Sequence, residues 1–343
     1  MKPVELLWRG VTAISGHQLL RPKYLVFEST SHCQFHCEVC GAIPMHCSRH
    51  RGMMDWCLFQ HLVEEAVQLQ PERIYLHAFG EPLLHPRIVD MVELLTRRGL
   101  KAELVTNGEL LTPALARQLR QAGLFELGIS HPNVSVANYQ ACRSKLPAKD
   151  IDARLTAAVA EWDGHDRQVT LRCLVIKKLL SKGAPETADY LNRWLNTPGV
   201  SLVALHGYLP WPKHVRPELI DFLLAKPRRC PVGMQSLSVL WDGVITPCSF
   251  DVNAELALGQ APKDSLVDLY NGAGLRRLRR NWLRRNHLPA LCQNCLVPRC
   301  PMASAWIGRR EWHEQMASGQ RASLGKTSKR TRQNKPDILT DRF

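Results

Sequence analysis

The chain has 343 residues, a formal net charge of +14 and 45% hydrophobic residues. That length suits two domains or one α/β barrel with an appendage, and the hydrophobic share excludes a disordered or fibrous chain. No run approaches the roughly 20 apolar residues of a membrane span, and Met1 to Leu20 lacks the apolar stretch and cleavage site of a signal peptide, so a cytoplasmic location is expected.

Residues 1–20 read as an N-terminal extension. From 21 to 212 the pattern alternates between strand and helix. Strands are expected over 24–28, 73–77, 102–105, 125–130, 169–176 and 202–206. Helices are expected over 55–69, 85–98, 112–122, 151–162 and 185–195. Thr112-Pro113 opens the third helix as an N-cap followed by proline at the first helical position. Six strands joined by helices imply a parallel sheet, wound flat or curled into part of a TIM-type barrel.

The alternation stops after Leu209-Pro210-Trp211-Pro212. Residues 213–305 read as a small cysteine-rich domain. Its first feature is a hairpin over 236–241 and 244–247, turning at Asp242-Gly243. A helix over 265–285 follows, and then a cysteine-rich turn over 291–301. The stretch 276–285 holds six arginines and no acid. Leu275, Leu278 and Trp282 recur at helical spacing, so the arginines are expected on the solvent face, bare or against an anion or nucleic acid. Residues 306–343 read as a basic, disordered tail; from Gly308 onward nine Lys or Arg stand against four Asp or Glu.

The chain has 12 cysteines. In a reducing compartment clustered cysteines point to metal ligands or catalytic thiols rather than disulfides. Cys33, Cys37 and Cys40 form C-x3-C-x2-C in the loop after the first strand. Three thiolates suit a soft metal centre, whereas structural zinc wants four closed ligands. A 4Fe–4S cube on three cysteines leaves one iron open, and at this strand end it faces the active-site side of a barrel. Zinc completed by His32, His36, His46 or Cys47 is the alternative. Cys47, Cys57, Cys142 and Cys173 stand alone and read as small buried hydrophobes.

Three further strand ends make the pattern specific. Phe79-Gly80-Glu81-Pro82 ends the second strand, Thr106-Asn107-Gly108 the third and Ser130 the fourth. Together with the cysteine motif, over residues 20–210, they resemble the radical S-adenosylmethionine (SAM) superfamily, with its G-G-E-P and T-N-G motifs. The resemblance implies a partial (βα)6 barrel and a 4Fe–4S cluster on Cys33, Cys37 and Cys40. It implies SAM held by Val39, Phe79, Gly80, Glu81, Pro82, Asn107 and Ser130. It also implies reductive cleavage of SAM to a 5′-deoxyadenosyl radical, fed by a flavodoxin- or ferredoxin-type electron donor. Phe79 departs from the family's first glycine, Val39 from a frequent aromatic residue, and His131-Pro132-Asn133 from the usual I-D-G.

Cys230-x12-Gly243-x4-Cys248, then Cys292-x2-Cys295, is a second thiol set. By spacing alone it suits zinc or a 4Fe–4S cluster equally. It resembles the SPASM extension of radical SAM enzymes, closest to the shortened Twitch form, which implies one auxiliary 4Fe–4S cluster on these four cysteines. Cys300 is open as a substitute ligand, a hydrogen donor or a packing residue. Alternation on strand five puts Thr170, Arg172 and Leu174 on one face, so Arg172 is a candidate for substrate contact or deprotonation, or for a structural ion pair.

The implied function is oxidation of a small polar molecule in a biosynthetic pathway, with the auxiliary cluster taking an electron. Epimerisation and peptide maturation share every motif. About 20 residues precede strand one, too few for a leader-recognition domain, which tilts the expectation towards a small molecule or an externally delivered peptide. The arginine-rich helix would suit a phosphorylated or nucleotide-linked sugar. No membrane partner is expected. A zinc-containing nucleic-acid-binding protein is the alternative from another class, and it leaves Gly80-Glu81-Pro82 and the six β/α units unexplained.

Overall fold

A computed structural model describes residues 15, 21–37, 40, 47–132, 135–143, 148–174, 185–206, 230, 232–293, 295–297 and 304–317. Its first half is β1 (Tyr24–Phe27), α1 (Trp56–Leu69), β2 (Arg73–Tyr75), α2 (Ile88–Arg97), β3 (Ala102–Thr106), α3 (Pro113–Gln121), β4 (Glu126–Ser130), α4 (Val136–Arg143), α5 (Ala148–Val159), β5 (Gln168–Leu174), α6 (Pro185–Leu195) and β6 (Leu202–His206). The six strands pair in sequence order, each parallel to the next. This is the parallel α/β sheet that the alternation predicts, in the partial-barrel form that the resemblance implies. Local chemistry sets the helix starts. The Asp55 carboxylate accepts from Cys57 N and Leu58 N at the head of α1, and Thr112 caps α3 with Pro113 behind it. Helix α4 is absent from the sequence expectation; its weakly amphipathic run follows β4 directly.

The two faces of the sheet differ in chemistry. Leu25, Phe27, Ile74, Leu104, Leu127, Ile129, Val169, Leu171 and Val203 join the helices in one apolar core. The alternate positions, on the concave side, hold Tyr24, Tyr75, Glu103, Glu126, Thr170 and Arg172, all by the period of two that governs strands. An apolar outer face and a polar lumen place the chemistry inside the curl.

The rest of the chain extends this sheet at both edges. β7 (Ser236–Val239) runs parallel to β1 and turns at Gly243, φ +88°, into antiparallel β8 (Val244–Thr246) and then β9 (Gly259–Gln260). Helices α7 (Leu266–Tyr270), α8 (Ala273–Arg284) and α9 (Ala290–Gln293) follow. β10 (Ser304–Gly308) pairs antiparallel with β6 at the opposite edge and leads into α10 (Arg309–Ala317). Among the described residues no helix is long and apolar enough to cross a membrane.

Several expectations are corrected. The single helix over 265–285 is two, broken at Asn271-Gly272, where Gly272 is extended ahead of α8. Not all its arginines face solvent: Arg279 falls on the buried stripe with Leu275 and Trp282, and its guanidinium reaches Tyr270 O at 2.8 Å and Asn271 Oδ1 at 3.1 Å. The tail expected from 306 is structured through Ala317, because Trp306 packs on Leu202 and Ala204 of β6 and Trp312 joins the main core. The remainder of that tail lies outside the described residues. Of the lone cysteines Cys173 is buried, but Cys57 is exposed in the first turn of α1 and Cys47 is half-buried; the Cys142 side chain lies outside the description.

Candidate functional site

The loop after β1 carries Cys33, Cys37 and Cys40, all partly exposed, with Cys40 N donating to Cys37 O at 3.0 Å. Its base is tied down by Ser31 N donating to Gly52 O at 3.0 Å and by a bridge between Thr30 and Met53. Against this loop lies the strand-two motif. A Cβ on Gly80 would overlap Thr30 O and sit 2.8 Å from His32 O, so only glycine permits the approach. Glu81 N then donates to His32 O at 2.7 Å.

Glu81 is 2% exposed, and its carboxylate acts as a clamp. Its Oε1 accepts from Thr106 Oγ1 at 2.6 Å and Leu83 N at 3.0 Å, and its Oε2 accepts from Asn107 N at 2.7 Å. The T-N-G turn is thereby fixed to the G-E-P turn. Asn107 Nδ2 lies 3.9 Å from Cys33 Sγ and 3.3 Å from Gln34 Oε1. Three of the segments singled out in the sequence thus meet at one end of the sheet. Ser130 lies exposed at the same end of β4. Phe79 turns its ring away, into an apolar cluster with Leu240 and Val252 of the second half. Val39 and Cys300 lie outside the described residues.

Sequence reasoning missed the junction beside this loop. Arg49 pairs with buried Glu28 at 3.1 Å and donates to Val252 O at 2.6 Å. Trp241 N donates to Glu28 Oε2 at 3.0 Å, and the Trp241 indole N–H donates to His50 O at 3.2 Å. Gly52 gives the indole room, since a Cβ there would overlap the ring. The available signal was one acid closing an otherwise apolar strand, Tyr24 to Glu28.

Inside the barrel Arg172 bonds Glu103 and lies 3.4 Å from Glu126, whose Oε1 also accepts from Thr170 Oγ1 at 2.9 Å. Gly128 leaves space for it: a Cβ there would stand 2.9 Å from Arg172 Nε. Burial, only partly opposed by Arg172, lifts the Glu103 carboxyl to about 7. Burial and the nearby Arg172 charge drive His77 and His206 down to about 3. His77 Nδ1 accepts from Val105 N at 3.1 Å, which leaves the ring's proton on Nε2. The lumen is therefore a compensated cation ringed by neutral hydrogen-bonding groups.

The second thiol set comes together as spacing suggests. Cys230, Cys248, Cys292 and Cys295 line one cavity with Val232, Phe250, Trp282 and Leu291. Gly233 N donates to Cys230 Sγ at 3.4 Å, and Trp282 Nε1 to Cys292 Sγ at 3.4 Å. Burial pushes Cys230 up to about 12 and Cys295 to about 11, with Cys248 and Cys292 also raised. A soft cation that takes the place of those protons reverses this penalty, and a donor set of four sulfurs without a carboxylate selects a soft centre. The thiols share the cavity without forming a closed ligand set: among the described residues no three His, Cys, Asp or Glu side chains are spaced to hold a metal ion.

A partial α/β barrel with three thiols at its strand ends and a second four-thiol centre defines a class of iron–sulfur protein. Residues 27–173 match the radical SAM superfamily, and residues 230–296 match the SPASM iron–sulfur cluster-binding domain. The chain belongs to the radical SAM superfamily and carries a C-terminal SPASM domain. It is a radical SAM enzyme, with SAM, a SAM-binding 4Fe–4S cluster and auxiliary iron–sulfur binding as its cofactors. The alternative of a zinc-containing nucleic-acid-binding protein is set aside.

It is similar to the tungsten-containing aldehyde ferredoxin oxidoreductase cofactor-modifying protein of Pyrococcus furiosus, at 26% identity over 80% of this chain and 87% of that one. It is also similar to the PqqA peptide cyclase of Ruegeria pomeroyi, at 22% identity over 80% and 79%. In fold it resembles Streptococcus suis SuiB bound to precursor peptide SuiA, with a TM-score of 0.62 at 12% identity over 88% of this chain and 76% of that one. BtrN in complex with AdoMet and 2-DOIA gives a TM-score of 0.51 at 19% identity, over 81% and 94%.

Proposed function

We propose that the chain oxidises a small polar molecule by radical chemistry, using a 4Fe–4S cluster on Cys33, Cys37 and Cys40 and another on Cys230, Cys248, Cys292 and Cys295. Held by those two sets of cysteines, the clusters would supply, together with SAM, radical hydrogen-abstraction chemistry and a second site able to accept an electron. The chain's own groups do the positioning. The backbone of Phe79, Gly80, Glu81 and Pro82, with Asn107 and Ser130, holds SAM beside the cysteine loop, and Val39 packs on its adenine. Arg172, offset by Glu103 and Glu126, gives the lumen a fixed polar contact for hydroxyl or amine groups rather than for a bare anion. Cys300 is an extra ligand or a packing residue in this reading and a hydrogen donor only under epimerisation, and a flavodoxin- or ferredoxin-type protein delivers the electron that starts the cycle.

The observation behind the oxidation reading is the four-thiol cavity, whose partly buried sulfurs sit in a largely apolar lining beside the barrel. The likeness to a cofactor-modifying protein over most of the chain supports a small substrate. Peptide maturation is the second reading, favoured by the likeness to a peptide cyclase over 80% of this chain. The test is anaerobic reconstitution followed by reduction with SAM. The expected result is about eight iron and eight sulfide per chain, 5′-deoxyadenosine, and a product lighter by two hydrogens. Solvent deuterium in an isomer of unchanged mass class would instead mean epimerisation. Bound zinc without 5′-deoxyadenosine would overturn the reading altogether.

A further inference from the structure

We propose that the arginine-rich helix α8 tunes the auxiliary centre towards accepting electrons, through a hydrogen bond from Trp282 and the charge of Arg285. This rests on the reading that Cys230, Cys248, Cys292 and Cys295 hold an iron–sulfur cluster. Trp282 is 4% exposed and lies on the buried stripe of α8. Its indole N–H donates to Cys292 Sγ at 3.4 Å. The ring is seated by Gly233, where any Cβ would overlap it, and Gly233 N itself donates to Cys230 Sγ at 3.4 Å. The backbone that makes room for the indole therefore also supplies a second donor to sulfur.

Arg285 closes the helix in the left-handed conformation, φ 51°, with its N–H on Asn281 O. It lines the same cavity as the four thiols, so its charge stands beside the centre they would hold. A helix C-terminus presents partial negative charge, which would disfavour adding an electron nearby. Arg285 opposes that charge at the point where it matters. Hydrogen bonds to cluster sulfurs and nearby cations both favour the reduced, more negative state, so both raise a reduction potential. The sense is the one an electron acceptor needs. An apolar residue would fill the space of Trp282 equally well, but it would leave the sulfur without a donor.

The test is a redox titration of the reconstituted full chain followed by electron paramagnetic resonance, with iron and sulfide counted in each sample. Trp282→Phe keeps an aromatic ring and removes the donor; Arg285→Gln removes the charge at an exposed position. Each is expected to move the auxiliary midpoint to more negative potential with full iron content. The cluster on the Cys33 loop should stay where it was. Arg277→Gln, exposed on the same helix and outside the cavity lining, should leave both midpoints unchanged. Unmoved auxiliary midpoints in both Trp282→Phe and Arg285→Gln, with full iron, would overturn the tuning role. If Trp282→Phe does not fold, an unmoved midpoint in Arg285→Gln alone overturns it. Failure of the underlying reading looks different: the unsubstituted chain would reconstitute only one cluster.

Discussion

Glu28 and Arg49 meet at 3.1 Å between the cysteine loop and the hairpin of the second half, with Trp241 N completing the carboxylate's contacts. Both side chains are buried or nearly so. Removing one partner strands the other, which costs about 3–5 kcal/mol for a buried pair. Arg49→Ala should therefore lower the thermal midpoint markedly. Burial already raises the Glu28 carboxyl despite Arg49, so protonation relieves the stranded group. A raised carboxyl adds stability below the usual carboxylate range and loses it as pH rises. The deficit of Arg49→Ala should thus shrink as pH falls towards 4.5, read by thermal melts across pH.

Gly80→Ala places a methyl group against Thr30 O, a backbone atom that cannot step aside without moving the cysteine loop. We expect 5′-deoxyadenosine formation to fall at least tenfold, because a displacement of about 1 Å near a reacting centre costs on the order of a hundredfold. The measurement is single-turnover SAM cleavage with iron content determined in parallel. Wild-type cleavage in the variant would show that this approach is dispensable.

Glu81→Gln keeps the shape of the clamp but turns an acceptor into a donor facing Leu83 N or Asn107 N. Each buried N–H left without an acceptor costs about 1–3 kcal/mol. The variant should melt earlier and bind SAM more weakly, as calorimetry would register. Thr106→Val should reproduce part of the loss, since it removes only the Thr106 hydroxyl from Glu81.

The lumen carboxyl of Glu103 sits at about 7. Its contribution to stability is complete below the ordinary value of 4.5 and is lost as pH rises through 7. Denaturant melts should show stability declining over that window, and Glu103→Gln should flatten the decline. An unchanged slope in the variant would assign the window to another group.

Cys248→Ala removes one of four sulfurs from the second cavity and none from the first. Iron should drop by about four atoms per chain, while SAM cleavage under reductant persists. Loss of all iron would mean that the two centres are not independent.

Much of this was legible because the signals are local. A C-x3-C-x2-C run, a G-E-P segment and a T-N-G turn each need only a few neighbouring residues to declare themselves. The strand period likewise put Arg172 inside the barrel. What the sequence hid is pairwise and distant. Glu28 and Trp241 are separated by more than 200 positions, and no spacing rule links them. Arg279 misled for the opposite reason: composition grouped it with five exposed-looking arginines, while the helical period set it between Leu275 and Trp282. Trp306 and Trp312 were outvoted by the basic residues around them, yet burial of two indoles is enough to order β10 and α10.

β7 and β10 lie on opposite edges of the parallel sheet, against β1 and β6. Both come from chain that leaves the ribosome after all six barrel strands. Until then each edge presents a row of unsatisfied amides and carbonyls, an open template for another strand. The nascent barrel must therefore wait, and the segment that seals one side of it is the same segment that begins to build the four-thiol centre. Sealing the β1 edge and placing Cys230 and Cys248 therefore draw on the same stretch of chain.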